Sequence, residues 1–207
     1  VVGAALSPAW NPTGPVIAYN TFGTDSRIVL HDLKSGKVRD FGSQRNTTYT
    51  TPVFTPDGKF MAYGHASEQG TDLYVVPLEG DAFPRRLTVG RGSVSVQPSF
   101  SPDGNRIAFM SDRTGHPEVY IMVGEGTDAQ RVAQANGQHQ NYRASPDWSP
   151  DGRQVTFQTR IDNRFQIFSM SPRDRQPKQL TSEGENEDPS WGPDGRHIVF
   201  VSSRSGT

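Results

Sequence analysis

A four-residue motif, Ser-Pro-Asp-Gly, recurs along this chain of 207 residues and limits the folds that it can adopt. Two copies are unchanged, and three variants keep the proline and the glycine. The glycines lie at positions 14, 58, 104, 152 and 195, so successive copies are 44, 46, 48 and 43 residues apart. Self-similarity at this period indicates a repeat architecture.

Each motif lies between two short apolar segments. A Pro-x-aromatic triplet precedes it, as in Pro146-Asp147-Trp148, and a run such as Val155-Thr156-Phe157 follows it. Proline presets φ for the first turn position, aspartate can accept a hydrogen bond from nearby backbone, and glycine adopts positive φ without a steric penalty. Aromatic and β-branched residues favour strands. Each motif therefore predicts a β-hairpin.

Two further strands follow each complete hairpin. The third is apolar, as in residues 118–122, and the fourth is weaker, as in residues 178–181. Four antiparallel strands in each repeat are typical of a β-propeller blade. The sequence thus predicts an all-β fold, with about 4.5 four-stranded antiparallel blades from a six-bladed ring. It predicts one β-propeller domain over residues 1–207, with blades near 7–49, 50–91, 95–137 and 144–182 and an incomplete blade at 188–207.

Composition argues against several classes of function. The formal net charge is −1, so no basic surface for nucleic acid is expected. No run of 18 apolar residues occurs, so we expect no direct membrane insertion by this chain. The chain has no cysteine, which excludes disulfides and thiolate chemistry. Neither a Gly-x-Ser-x-Gly elbow nor a glycine-rich phosphate loop is present, so the sequence predicts a protein that is not an enzyme.

The repeat unit, with its Pro-x-Trp-Ser-Pro-Asp-Gly-Arg hairpin and later Gln-Leu-Thr, resembles the TolB-type, WD-like propeller repeat, and five copies cover nearly the whole chain. The resemblance implies a periplasmic protein of the bacterial envelope that binds a lipoprotein partner, Pal, over the mouth of the propeller channel. Two alternatives stay open. One is an accessory subunit that braces the periplasmic side of a membrane protein complex, and the other is the propeller of a peptidase or a sugar-acting enzyme.

Strand order predicts which loops could meet a partner. The loops between blades, together with those joining second and third strands, should lie on one face, at the channel mouth. Loops on a rigid scaffold often hold binding residues, and tyrosine and arginine are favoured interface anchors. We expect partner contacts from the following residues: Tyr49, Arg91, Arg113, His116, His139, Tyr142, Arg143, Arg160, Arg164, Glu185 and Glu187.

Other polar residues have simpler interpretations. The turn aspartates are expected to cap their own turns, and the repeated aromatics are expected to pack between blades. The histidines show no zinc-binding spacing. Glu183, Glu185, Glu187 and Asp188 form an acidic cluster that leaves calcium as a candidate ligand, although no cofactor is otherwise predicted.

Overall fold

The computed structural model describes residues 5–22, 26–41, 47–80, 83–132, 142–173 and 176–205. These residues form eighteen β-strands and no helix, and four of the five sheets have four strands. The all-β fold with four-stranded antiparallel blades is confirmed. Within the described ranges, no helix is long and apolar enough to cross a membrane.

Close contacts divide the chain into two compact units, Val1–Pro98 and Ser99–Thr207. The first unit holds two antiparallel sheets, which we call blades one and two. Blade one consists of β1 (Ala5–Trp10), β2 (Val16–Thr21), β3 (Ile28–Asp32) and β4 (Val38–Phe41). Blade two consists of β5 (Thr48–Phe54), β6 (Phe60–Ser67), β7 (Gly70–Pro77) and β8 (Arg85–Arg86).

The remaining strands form blades three, four and five, and the boundary between the units falls within β9. Blade three consists of β9 (Ser95–Phe100), β10 (Arg106–Ser111), β11 (Glu118–Val123) and β12 (Gln130–Arg131). Blade four consists of β13 (Arg143–Trp148), β14 (Val155–Ile161), β15 (Arg164–Met170) and β16 (Lys178–Gln179). Blade five has β17 (Asn186–Trp191) and β18 (Ile198–Ser202). The closure of blades into a six-membered ring stays a prediction.

The Pro-Asp-Gly turns form as the sequence predicts. In blade four, Ser149 Oγ donates to Asp151 Oδ1 at 2.6 Å, and the same oxygen accepts from Arg153 N at 3.0 Å. Gly152 has φ of +67°, the left-handed region that glycine adopts without strain. The bond from Ser149 is the main reason that the pKa of Asp151 is lowered. The turn aspartates therefore cap their turns.

In blades one, two, four and five, the first strand begins earlier than the sequence suggests. The residue before each repeat proline has positive φ, and the strand register shifts at that point in blades one, two, four and five. Such β-bulges allow a strand to continue past a proline that would otherwise end its pairing. As a result, Ala5 and Leu6, which precede the predicted start of blade one at residue 7, belong to β1. The first strand of blade five begins at Asn186, two residues before the predicted start at 188.

The core lies between neighbouring blades of each unit. In the first unit, Leu30 of blade one joins Phe54 and Tyr63 of blade two in one buried cluster. In the second unit, Ala108 of blade three packs with Trp148 of blade four. The prediction that the repeated aromatics fill the inter-blade core therefore holds for Phe54 and Trp148. The Trp10 side chain, in the first blade of the sequence, is 58% exposed.

Candidate functional site

The hairpin that joins β14 to β15 presents charged residues at one end of blade four. Ile161 pairs with Arg164, so the turn has two residues, Asp162 and Asn163. Both have positive φ, at 48° and 65°, as the type I′ turns that match strand twist require. Arg160 and Arg164 flank this turn and are exposed. Their side chains form no ion pair with any described residue, so both guanidinium groups are available to a ligand.

Aromatic rings support the base of this hairpin. The rings of Tyr142 and Phe165 lie 5.2 Å apart at an interplanar angle of 60°. The carbonyl of Tyr142 accepts bonds from Thr159 Oγ1 at 2.9 Å and from Arg160 N at 3.3 Å, which fixes the chain entering blade four. Both rings are half-buried. The structure therefore brings together three predicted residues, Tyr142, Arg160 and Arg164, and adds Phe165. We call these four residues the hairpin cluster.

Phe165 was not predicted from the sequence. It lies near the start of β15, which begins at Arg164 and is buried from Gln166 onward. The Asp162-Asn163 pair between two apolar-rich runs was the available signal, because both residue types tolerate the left-handed region that a two-residue hairpin requires.

Arg143 occupies an internal position, contrary to the prediction that it contacts a partner. Its side chain is 7% exposed, and Nη1 lies 2.6 Å from Oε2 of Glu118, whose side chain is fully buried. His116 Nε2 lies 3.6 Å from the other carboxylate oxygen of Glu118. A buried carboxylate requires a compensating charge, and Arg143 supplies it. This arginine therefore belongs to the interior of the second unit, and half-buried His116 lies beside the same ion pair.

Tyr49 is likewise an internal residue. It lies in β5 and not in a loop, and it is 4% exposed. Its N–H donates to Ser26 Oγ at 3.1 Å, and its ring contacts the rings of Tyr63 and His65 at 5.8 and 5.1 Å. The predicted contact between Tyr49 and a partner is therefore not supported. Packing against neighbouring aromatic rings explains its position.

Arg113 and Arg91 are exposed, as expected for loop residues. The guanidinium of Arg113 lies 4.8 Å from the centre of the Tyr120 ring, and its Nε donates to Ser111 Oγ at 3.1 Å. Cation–π contact thus holds Arg113 against its own blade. Arg91 belongs to the first unit, so it is described separately from the hairpin cluster. His139 lies outside the described residues.

The acidic residues of blade five lie near one another. Burial raises the pKa of Glu187, and the neighbouring Glu185 and Asp188 carboxylates raise it further. Asp188 Oδ1 also accepts a bond from Ser145 Oγ at 2.7 Å. Glu187 lies within β17, although the sequence placed it in a loop. No group of three or more acidic or metal-binding side chains in the described ranges is arranged to hold a metal ion. The calcium site stays a prediction.

Asp147 connects three blades of the second unit, a role that sequence reasoning missed. Its Oδ1 accepts from Ser99 Oγ of blade three at 3.0 Å, and its Oδ2 accepts from the Trp191 N–H of blade five at 2.7 Å. Burial raises the pKa of this carboxyl, although these hydrogen bonds partly oppose that rise. The sequence signal for this role was that Asp147, an acidic residue, occupies the middle position of the Pro-x-aromatic triplet.

Comparison with known proteins agrees with this architecture. The model of the TolB beta propeller domain matches residues 3–207. A TolB homolog of Chlorobium luteolum is 35% identical over 118 residues, which cover 57% of this chain and 26% of that protein. The Tol-Pal system protein TolB of Bordetella pertussis is 29% identical over 128 residues, covering 60% of this chain and 28% of that protein. This chain thus matches about a quarter of the length of these relatives.

A solved structure extends the likeness to the backbone. The crystal structure of TolB from Acinetobacter baumannii aligns with a TM-score of 0.78 at 24% identity, covering 98% of this chain and 52% of that one. At this identity the alignment supports the fold and not the function. The family match spans nearly every residue and coincides with the repeated blades. The chain therefore belongs to the TolB β-propeller domain family.

Proposed function

We propose that this chain is a non-catalytic protein-binding module of the bacterial envelope, and that it binds its partner through the hairpin cluster. The partner proposed is a Pal-type periplasmic lipoprotein, because the Bordetella relative is named as a Tol-Pal system protein. The mechanism is rigid presentation of side chains to a partner surface, with no covalent step.

The observation that carries this proposal is that two exposed arginines and two aromatic rings in contact occur at one hairpin. Arg160 and Arg164 are exposed, and their side chains form no ion pair among the described residues. Tyr142 and Phe165 contact each other at the base of the same hairpin, where Phe165 pairs with Arg160 across the strands. Arginine and tyrosine are enriched among the residues that dominate interface energies. A two-residue turn also limits the conformational freedom that would be lost on binding.

The cluster favours an acidic partner surface. Two guanidinium groups next to one turn carboxylate, Asp162, leave a local excess of positive charge. Arginine binds carboxylates through two parallel hydrogen bonds, which adds geometric selectivity to attraction. In blade five, Glu187 lies on the first strand and Glu185 lies in the loop before it. A partner that also contacted these two glutamates would need a basic region opposite them.

Titration of the full chain with the purified soluble domain of the Pal-type lipoprotein would test this proposal. Replacing Arg160 and Arg164 together by alanine should weaken binding about thirtyfold, which corresponds to the roughly 2 kcal/mol that a hot-spot residue contributes. Arg153→Ala is the matched control, because Arg153 is exposed and precedes the opposite end of β14.

The control variant should bind as the unchanged chain does. Equal binding by the double variant and the unchanged chain would reject the hairpin cluster as the contact surface. If the unchanged chain fails to bind the lipoprotein at all, the proposed partner is wrong.

A further inference from the structure

Two grooves occupy equivalent repeat positions in the second unit. The first, of about 270 Å³, lies beside blade three and is lined by residues including Arg106, Met122 and Arg131. The second, of about 360 Å³, lies between blades four and five. Met122 and Met170 occupy the same position in successive repeats and line the respective grooves. The grooves can therefore be compared residue by residue.

The two grooves differ at the repeat position that lies next to the tryptophan of the following blade. In the first groove, Arg106 lies over the Trp148 ring, with 4.4 Å between its guanidinium carbon and the ring centre. The next repeat has Gln154 at that position, and its Oε1 accepts a bond from Ser169 Oγ. Trp191, the counterpart of Trp148, lines the second groove. No cation lies over the Trp191 ring among the described residues.

The second groove combines this indole with positive charge. Lys178 and Arg196 line it, whereas none of its lining residues is acidic. Neither side chain forms an ion pair within the described ranges. In the first groove, by contrast, the lining includes Asp128 as well as two arginines. The second groove is therefore suited to an anion.

Neutral hydrogen-bonding groups complete the lining. Ser171 and Gln176 border the groove and provide groups that can both donate and accept. Trp191 Nε1 is a buried donor without a partner among the described residues. The backbone of Trp191 is fixed by the 2.7 Å bond from its N–H to Asp147 Oδ2. The indole thus lies in a wall whose position is set by the blade-to-blade contact.

From these features we infer that the groove between blades four and five binds an acidic sugar. The sugar ring would pack against Trp191, its hydroxyl groups would meet Ser171 and Gln176, and its carboxylate would pair with Lys178 and Arg196. An apolar wall with a few convergent polar groups is the usual composition of a small-molecule site. This site is separate from the hairpin cluster, so it goes beyond the proposed function.

The probe for this inference is trigalacturonic acid, titrated into the full chain by calorimetry and followed by tryptophan fluorescence. Its fully methyl-esterified form keeps the rings and their hydroxyl groups but removes the charge, so it serves as the neutral control. We expect binding of the acid and at least about tenfold weaker binding of the ester. Equal binding of both compounds would overturn the assignment of an anionic ligand.

Variants separate stacking from simple attraction between charges. Gln154→Arg should cover Trp191 as Arg106 covers Trp148, and it should abolish binding although it adds a positive charge. Lys178→Gln with Arg196→Gln should weaken binding at least about tenfold through lost ion pairing. Arg153→Gln removes one positive charge from an exposed residue outside the groove lining and should have no effect.

Each variant would first be checked for an unchanged melting temperature. Trigalacturonate binding that survives Gln154→Arg in a folded variant would overturn the stacking site. The absence of binding to the unchanged chain up to about 10 mM ligand would overturn the whole inference.

Discussion

Arg143 and Arg160 both come from blade four, at the same end of its sheet, yet they differ in burial and in ion pairing. Arg143 pairs with Thr159 in the strand register, one residue from Arg160. Its side chain is buried and paired with Glu118, whereas Arg160 is exposed and unpaired among the described residues. The comparison teaches that residue type and approximate position are insufficient to identify a binding arginine. What distinguishes the two arginines is whether the folded chain supplies a buried carboxylate that pairs with the guanidinium group.

The largest expected effect concerns the buried member of this comparison. Arg143→Ala should reduce the free energy of unfolding by about 3–5 kcal/mol, because it leaves the fully buried Glu118 carboxylate without its cation. Urea unfolding of the full chain at neutral pH would measure the loss. A loss below about 1 kcal/mol, the range of ordinary substitutions, would show that Glu118 does not depend on Arg143.

A double substitution would sharpen this result. Replacing Glu118 by leucine and Arg143 by methionine removes both charges and keeps similar volumes. Buried ion pairs replaced by apolar residues are often neutral or stabilising, so the double variant should recover most of the stability lost by Arg143→Ala. If the double variant is as unstable as the single one, the packing of the arginine stem and not its charge is decisive.

Asp147 extends the comparison to a buried carboxyl whose partners among the described residues are hydrogen-bond donors. Asp147→Asn should reduce the unfolding free energy by about 1–3 kcal/mol, because an amide has one acceptor oxygen, whereas the two carboxylate oxygens accept from Ser99 Oγ and from the Trp191 N–H. The pKa of Asp147 is raised above its ordinary 3.8, so the folded state binds the proton more tightly than the unfolded state does.

The sign of the pH effect follows from that difference. As pH rises above 3.8 towards the folded-state pKa, Asp147 should lower stability, and above that pKa its contribution should become constant. Unfolding of the unchanged chain and Asp147→Asn at several pH values from 4 to 7 would isolate this contribution. Parallel pH profiles for the two proteins would contradict the raised pKa.

The smallest expected effect concerns the exposed arginines. Replacing Arg160 and Arg164 by alanine should change the unfolding free energy by no more than about 0.5 kcal/mol, since neither has an internal ion pair. Thermal or urea unfolding would check this value. A large loss of stability would place these residues with Arg143 and would remove the distinction between structural and exposed arginines.

The repeat made much of the fold predictable. Each Pro-Asp-Gly turn uses local bonds, such as Ser149 Oγ to Asp151 Oδ1, that depend on residues within one short segment. The strand starts were less accurate, because the bulge before each repeat proline is a pairing feature between strands. The predicted partner contacts were only partly supported, because burial also depends on contacts between strands. Tyr142, Arg160 and Arg164 belong to one hairpin region, but Tyr49 and Arg143 are internal.

By itself, the sequence determined the blade type, the repeat period and the caps of the turns, since these depend on bonds between near neighbours in the chain. The tertiary structure decided which charges are buried and which are free. Glu118 and Arg143 are 25 residues apart, and Asp147 and Trp191 are 44 apart, so their contacts form only when blades pack together. Burial strengthens the need for such partners, and burial is a property of the packed blades and not of any one repeat.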